Sequence, residues 1–594
     1  MKEKKREKNF QKGKNTAQKP ISMGAAILTG LLISTIIVLV LDYLLPTPWN
    51  IHSAACWIKV LAALIIYASI NGIMLAFITA TDEKTKGKKE EIGGASILII
   101  LGVIVVMVIG VLSGAQIFHS SAYANLIQVQ EVESSDTILS EKDAESIALM
   151  DTASATQLGD REIGAIKNFS AFNVCDNYIQ LNVKNDAVKI APLEYAGFFK
   201  WIKNKDSGVT GYVTVSPTTM TADYVELPEG MQYVPSAYFG KDLNRHLHYQ
   251  FPTLIYGNTH FEIDEDGKPY YVSAVYKKTI GLFGGEVVTG SILTDPVTGE
   301  SQYYDLDETP GWVDDVVDGD LICSLYNVAY KNKNGFWNGT FLGANTGCMQ
   351  TTTLESSDDD DDDDDDDDSN TTDYGYIAKD GDIYIYTGIT SMAKDSSNLG
   401  FIMVNERTGE YRYFAVSGAN EQSAMKAAEG EVQQYSYEAS FPTLINIDNE
   451  LTYIGVLKDS NGLVKMYYMV NVKDYGKVVV ASHKADCMTD YIEELGLHPD
   501  QALIDQANSD SEESDGEEEN TEKEEKIAVT FEISAMQYAD VDGDTYVYLG
   551  TSDGTVYKAR FADNEQLLFV SVGDRVSGTV SDGEFTFEQK NAED

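Results

Sequence analysis

Cysteine is scarce in this chain, five residues in 594, and so is positive charge, with 44 Lys/Arg against 93 Asp/Glu. Cys56 lies in or beside an apolar run, which leaves Cys175, Cys323, Cys348 and Cys487 beyond it. Four thiols allow three complete pairings and none is diagnostic, so free buried cysteines are expected, with Cys323/Cys348 the disulfide candidate. The formal charge of −49 repels DNA, RNA and anionic headgroups, which disfavours a nucleic-acid role. Cations, basic proteins or basic peptides are the partners it could attract. Linear catalytic motifs are missing as well. There is no G-x-S-x-G elbow, no H-E-x-x-H helix and no S-x-x-K motif, and Gly284-Gly285 lacks the lysine of a phosphate-binding loop. Carboxylates are too abundant for an acid–base pair to be picked out. The sequence therefore assigns no catalytic, cofactor-binding or metal-binding residue and implies no cofactor.

Long apolar stretches are present, all in the first fifth. Residues 23–41, 58–80 and 94–118 are each about long enough to cross a bilayer of ~30 Å at 1.5 Å per residue. A cleavable signal peptide does not fit, because two further runs follow and no small-residue cleavage site succeeds Leu45-Pro46. The expectation is a transmembrane region 23–118 with spans of about 23–45, 58–80 and 94–118. The preceding tail, 1–22, carries eight Lys/Arg, the second loop carries four lysines, and the first loop has none. Basic segments stay cytoplasmic, so the expected protein is a multi-pass plasma-membrane protein with its N-terminus inside. The body from His119 onward is then extracytoplasmic, and it holds the acid, with 31 Lys/Arg against 86 Asp/Glu. Asn71 in SINGIML is expected to join helices, and Lys59 to sit near the outer end of the second span. With no Asp, Glu or Arg read inside the runs, a transporter or proton channel is a poor fit.

Two segments of the body cannot bury apolar surface. Residues 355–372 contain eleven consecutive aspartates from Asp358 to Asp368, and 508–526 is an acidic linker without a hydrophobic residue. The first reads as a solvated loop within 231–507 and the second as a domain boundary. Around them the chain alternates in Tyr, Val, Ile and Thr with Gly-containing turns, the pattern of hairpins, as in FEIDEDGKPYYVSAVY and LTYIGVLKDSNGLVKMYYMVNV. Helical stretches precede them: one from Ser236 to His248, one opening at Thr309-Pro310, and one from Ser417 to Tyr435.

Repetition is visible in two motifs. FPTLI occurs at 251–255 and again at 441–445. GSILTDPVTGE, beginning at Gly290, aligns with GFIMVNERTGE, beginning at Gly400, at a constant offset of 110 residues that also matches Tyr303 with Tyr413. YYMVNVKDYGKVVVA, with a turn at Gly476, is a looser third copy. Each is a strand, a turn and a return strand after a helix. The units resemble the PepSY domain, in which a D-x-x-T-G-E-like turn joins two late strands, matched here by Asp295 to Glu300 and Asn405 to Glu410. GYVTVSPTTMTADYVEL and IGLFGG are similar to an uncharacterised family of membrane-anchored bacterial proteins. The PepSY resemblance implies peptidase restraint or peptide binding. Residues 527–594 form a further all-β unit whose VGDRVSGTV phrase is similar to small OB-like barrels.

The fold expected is thus membrane-anchored α+β: three transmembrane helices, a membrane-proximal α+β region 119–230, helix-plus-antiparallel-sheet repeats 231–507, and a small β-barrel. Metal candidates fare poorly. Asp540, Asp542 and Asp544 have EF-hand spacing, but Thr545 and Thr551 replace the required glycine and glutamate, so a hairpin is expected. His246, His248 and His260 lack a completing ligand at diagnostic spacing and read as structural. Glu300 and Glu410 are expected to start return strands and face solvent. The expected function is non-enzymatic binding of a protein or peptide at the cell envelope. The alternatives are an envelope hydrolase without a linear motif, or a membrane component of a secretion, conjugation or phage-related apparatus.

Overall fold

The computed structural model describes residues 23–79, 86–132, 149–497 and 527–587, with short breaks inside the last two stretches, the longest at 354–373. The basic tail, the aspartate run and the acidic linker fall outside the described residues. The chain divides into two compact units, Met1–Ser511 and Glu512–Asp594.

Three helices open the first unit: α1 (Met23–Leu44), α2 (Ala54–Thr79) and α3 (Lys86–Ser113). All three are long and apolar enough to cross a membrane. Gly30 lets α1 approach α2 closely, since a Cβ there would stand 2.5 Å from the Asn71 amide oxygen. Tyr67 and Thr35 share a hydrogen bond of 2.8 Å across the same pair. Asp42, which the sequence reading left beyond the first run, lies within α1 because the helix continues to Leu44; it pairs with Lys59 of α2. Lys59 also donates to the Thr47 carbonyl and stands 4.3 Å from the Trp49 ring. The third helix stops at Ser113, short of the expected 118. At Gly114 the chain turns into α4 (Gln116–Ala124), and the Tyr123 hydroxyl donates back to the Gly114 carbonyl.

The body repeats one plan four times, a helix followed by an antiparallel meander. In the first, α5 (Thr152–Glu162) leads to β2 (Phe172–Val174), β3 (Ile179–Val183), β4 (Asp186–Tyr195), β5 (Val209–Ser216) and β6 (Thr221–Met231), with α6 (Phe198–Asn204) between β4 and β5. In the second, α7 (Leu243–Gln250) leads to β7 (Ile255–Ile263), β8 (Pro269–Ile280), β9 (Gly284–Thr294) and β10 (Ser301–Asp305), ordered β10-β9-β8-β7.

The third begins with α8 (Gly319–Asn332) and holds β11 (Met349–Thr351), β12 (Gly375–Lys379), β13 (Asp382–Ser391), β14 (Ser397–Asn405), β15 (Tyr411–Phe414) and β16 (Gly418–Ala419). Strand β1 (Val129–Val132), just after α4, joins this sheet parallel to β15. The fourth runs from α9 (Glu421–Glu431) through β17 (Glu438–Ala439), β18 (Thr443–Ile447), β19 (Glu450–Lys458), β20 (Val464–Asn471) and β21 (Val478–Ala481) to α10 (Lys484–Leu495).

Three cores join these layers in sequence. One packs the first sheet on the second, with Leu181, Ile190, Leu247 and Phe261 buried together. Another packs α8 between the second and third sheets, and a third seals the third sheet against the fourth. Strand β13 explains how one sheet serves two cores: Ile385 and Ile389 point to the α8 side, Tyr384 and Tyr386 to the fourth sheet. Each such side chain contributes about 1.5–3 kcal/mol on burial.

The 110-residue repeat is structural. Strands β9 and β10 pair Ile292 with Tyr303, and β14 and β15 pair Ile402 with Tyr413. In both turns an Asx side chain heads the loop: Asp295 Oδ1 accepts from the Val297 and Thr298 amides, and Asn405 Oδ1 accepts from the Thr408 amide. Gly299 and Gly409 then adopt φ of +82° and +68°, where a Cβ is strained. The looser third copy keeps the same head, because Asn471 Oδ1 accepts from the Lys473 and Asp474 amides. Both FPTLI motifs lead into a strand of a meander, the first (β7) in the second sheet and the second (β18) in the fourth.

Two expectations are corrected. The helix placed at Thr309-Pro310 starts only at Gly319, capped by Asp318. The intervening amides are committed elsewhere: those of Asp314 and Asp315 donate to Glu262, and those of Val316 and Val317 to the Glu406 carbonyl. Cys323 and Cys348 form no disulfide; all five cysteines are free. Both are buried, and Cys348 Sγ instead accepts from Asn338 and donates to the Lys331 carbonyl.

The second unit, taken by itself, is a six-stranded sheet of β22 (Ile527–Glu532), β23 (Ala535–Val541), β24 (Asp544–Gly550), β25 (Val556–Arg560), β26 (Arg575–Ser581) and β27 (Glu584–Phe587). Its strand order is β22-β26-β27-β25-β24-β23. Val541 pairs with Asp544, and β23 and β24 are antiparallel neighbours.

Candidate functional site

Alternation along β7 places His260 and Glu262 on one face, and the locked segment after Pro310 brings Asp314 and Asp315 against them. His260 Nε2 lies 2.8 Å from Glu262 Oε1, its Nδ1 lies 3.0 Å from the Asn258 carbonyl, and Asp315 Oδ2 is 3.9 Å from Nδ1. Both ring nitrogens thus face acceptors, which suits a doubly protonated imidazolium. Burial alone lowers the imidazole, but the Asp315 and Glu262 carboxylates outweigh it and push His260 up to about 9. Burial lifts Asp315 to about 6, against the pull of His260. Asp314 and Glu406 rise well above the carboxylate range, through burial first and neighbouring carboxylates second. None of these five residues is more than 6% exposed.

The cluster stitches sheets together. Glu262 of the second sheet accepts the Asp314 and Asp315 amides at 3.0 and 3.1 Å, and Asp314 Oδ2 accepts the Asn182 amide of the first sheet at 2.6 Å. Glu406, just past β14, supplies the third. Beside it Arg407 grips Asp382 with two bonds of 2.7 and 2.8 Å. Acid and base converge here, but each of the five clustered residues is at most 6% exposed.

An open site lies elsewhere in the same unit. A cavity of about 320 Å³ forms where the first, third and fourth sheets meet, lined by Gln180, Lys189, Tyr374, Tyr376, Phe441 and Lys458 among others. Its rim is half-buried at Tyr374, Tyr376, Phe441 and Lys458. Phe441 belongs to the second FPTLI motif and stacks at a tilt on Tyr386. Lys189 is 1% exposed, with its ammonium 5.3 Å from the Tyr376 ring centre. The Gln180 amide nitrogen is buried in the wall without a hydrogen-bond partner. Burial first, then the neighbouring acids Glu406 and Asp315, hold the Tyr376 hydroxyl far above the usual phenol range. The described lining has no histidine, cysteine or carboxylate, so it offers aromatic faces, ammonium groups and amide donors.

The residues weighed from sequence do not assemble into one centre. His246 Nε2 donates to the Gly299 carbonyl, 2.7 Å away, and leans on Tyr233; His248 is buried on α7, where desolvation lowers its pKa. No group of three or more His, Cys, Asp or Glu among the described residues could hold a metal. Glu300 is exposed at one turn, and Glu410 sits beside Arg412 at another, on different sheets. The buried cluster was missed, although the HFE alternation and the WVDD pair were its two signals. No known protein family matches the chain, and no curated protein matches its sequence.

Proposed function

We propose that the chain is a non-enzymatic, membrane-anchored extracytoplasmic protein that binds a protein or peptide partner in the cavity between its first, third and fourth sheets. What carries this reading is the separation of chemistry from access. The His260–carboxylate cluster is buried, and the exposed His483–Asp486 pair at the start of α10 lies outside the cavity lining, whereas the open cavity is lined by aromatic and cationic groups that suit binding. Helix-then-meander repetition, closed by Asx-headed turns, supports the PepSY-like reading of the repeats. The basic tail and second loop support a plasma-membrane orientation with the body outside. The last six strands we read as a small barrel. Protease added to intact protoplasts should then digest the body and spare the tail; protection of the body would reverse the orientation.

Partner binding is tested with a photo-crosslinking amino acid at Phe441 or Tyr374 in the full-length protein in its own membrane. The same polypeptide adduct is expected from both positions. Absence of any adduct, together with hydrolytic turnover abolished by His260→Gln, would replace the binding reading with the hydrolase.

A further inference from the structure

An exposed aromatic cluster of the body belongs to neither site. Helix α6 has the sequence FFKWIKN, and with the segment around Tyr238 and Phe239 it presents Phe199 at 84%, Phe239 at 56% and Ile202 at 46% exposure. Their rings are held, not dangling. Phe198 stacks on Trp201 at 6.0 Å between centroids, and Phe239 meets both at 6.2 and 5.8 Å. Phe239 itself adopts φ of +56°, an outlier for a bulky residue, and so fixes its ring in an unfavoured backbone state.

Three observations say what covers this face. The first is position. The Arg245 guanidinium donates through Nη1 to the Phe239 carbonyl and through Nε to the carbonyl of Tyr43, the penultimate residue of α1. The aromatic cluster is therefore one guanidinium's width from the end of an apolar helix. The second is rigidity. Trp49 donates to the Pro252 carbonyl, Asn50 to the Thr253 carbonyl, and the Leu282 amide donates to Ser113 at the end of α3. A Cβ at Gly281 would stand 2.1 Å from the Ser113 carbonyl, so hairpin and helix end meet backbone to backbone. The third is charge. Within a strongly acidic body, Lys200 and Lys203 lie on α6, Lys205 follows it and Lys241 lies two residues past Phe239, and α6 itself has no acid, although Asp206 and Asp242 flank these lysines in sequence.

We infer that this face lies in the headgroup region of the bilayer that the apolar helices cross, as a second, monotopic contact with anionic phospholipid favoured by the lysines. Aromatic rings at the level of helix ends and lysines reaching headgroups are the residue types an interface selects. The inference rests on the three-span reading above. The first unit is then laid against the membrane at a fixed tilt, with Pro252 and Thr253 of the first FPTLI motif clamping the α1–α2 loop.

The test places a photo-crosslinking amino acid singly at Phe199, Phe239, Ile109 and Tyr475 in the full chain, in nanodiscs containing phosphatidylglycerol and phosphatidylcholine. Ile109 lies in α3, and Tyr475 is an exposed aromatic of the fourth sheet. Lipid adducts are expected at 199, 239 and 109, with none at 475, and Lys200→Gln with Lys203→Gln should remove any excess of phosphatidylglycerol adducts at 199. Adducts at 109 but not at 199 or 239 overturn the proposal while sparing the spans. Absence at 109 overturns the three-span reading itself. A polypeptide adduct at 199 makes the face a protein interface instead.

Discussion

The sealed cluster and the open cavity are built from the same repeats, yet they divide the properties that a catalytic site would combine. Around His260, charge and proton-binding groups converge, and they contact one another and backbone groups of neighbouring segments, with Asp314 Oδ1 and Asp315 Oδ1 left without a hydrogen-bond partner. In the cavity solvent enters, but the described walls carry rings, lysines and an unpaired amide. Buried ion networks are poor sources of net stability and strong sources of specific geometry, since a wrong packing leaves a charge uncompensated. On the proposed reading, the cluster holds the sheets in register and the cavity serves recognition.

The largest effect should come from breaking the junction. Glu262→Ala removes the partner of the His260 imidazolium and of two backbone amides, and the loss should be about 3–5 kcal/mol, read as a fall in denaturation midpoint. Gln180→Leu in the cavity wall should leave the midpoint nearly unchanged or raise it, because it replaces an unpartnered buried donor. Equal losses would erase the distinction.

The pH dependence follows from the same cluster. His260, raised from 6.5 to about 9, contributes stability that is fully present below pH 6.5 and is lost as pH rises through 9. Asp315, raised to about 6, Asp314 and Glu406 are also shifted upward, so each acts in the same direction. The melting temperature of the body should fall between pH 6.5 and 9, and His260→Gln should make that fall shallower. A flat profile would show that the imidazole is not charged in the folded state.

Smaller effects separate the two repeats. At Gly299 a Cβ would meet the Tyr233 ring at 2.5 Å, whereas at Gly409 the nearest atom is Val317 Cγ2 at 3.6 Å. Both turns need positive φ, so alanine should cost about 1–3 kcal/mol at either, with Gly299→Ala the more harmful. Smallest of all, deleting residues 356–370 should barely move the midpoint in calcium-free buffer, because loop-closure entropy changes slowly with length.

What the sequence made legible was local. The Asx-x-x-T-G-E turns and the FPTLI motifs announce themselves because a turn's backbone chemistry is written in adjacent residues. Asn471, head of the third turn, escaped notice because its loop has one more residue and no T-G. The α8 start was misplaced by a contact from Glu262, some fifty residues earlier, that no local rule contains. The cluster itself needed the topology: His260, Asp314 and Glu406 come from three separate segments, and only folding brings them together.

The central claim is that recognition lives in the cavity and not in the cluster. Its most direct test is the yield of the polypeptide adduct from a photo-crosslinker at position 441, compared between His260→Gln and Gln180→Leu at a temperature where both are folded. The account predicts that the adduct survives His260→Gln and is lost or sharply reduced in Gln180→Leu. Loss in His260→Gln with full yield in Gln180→Leu would contradict it.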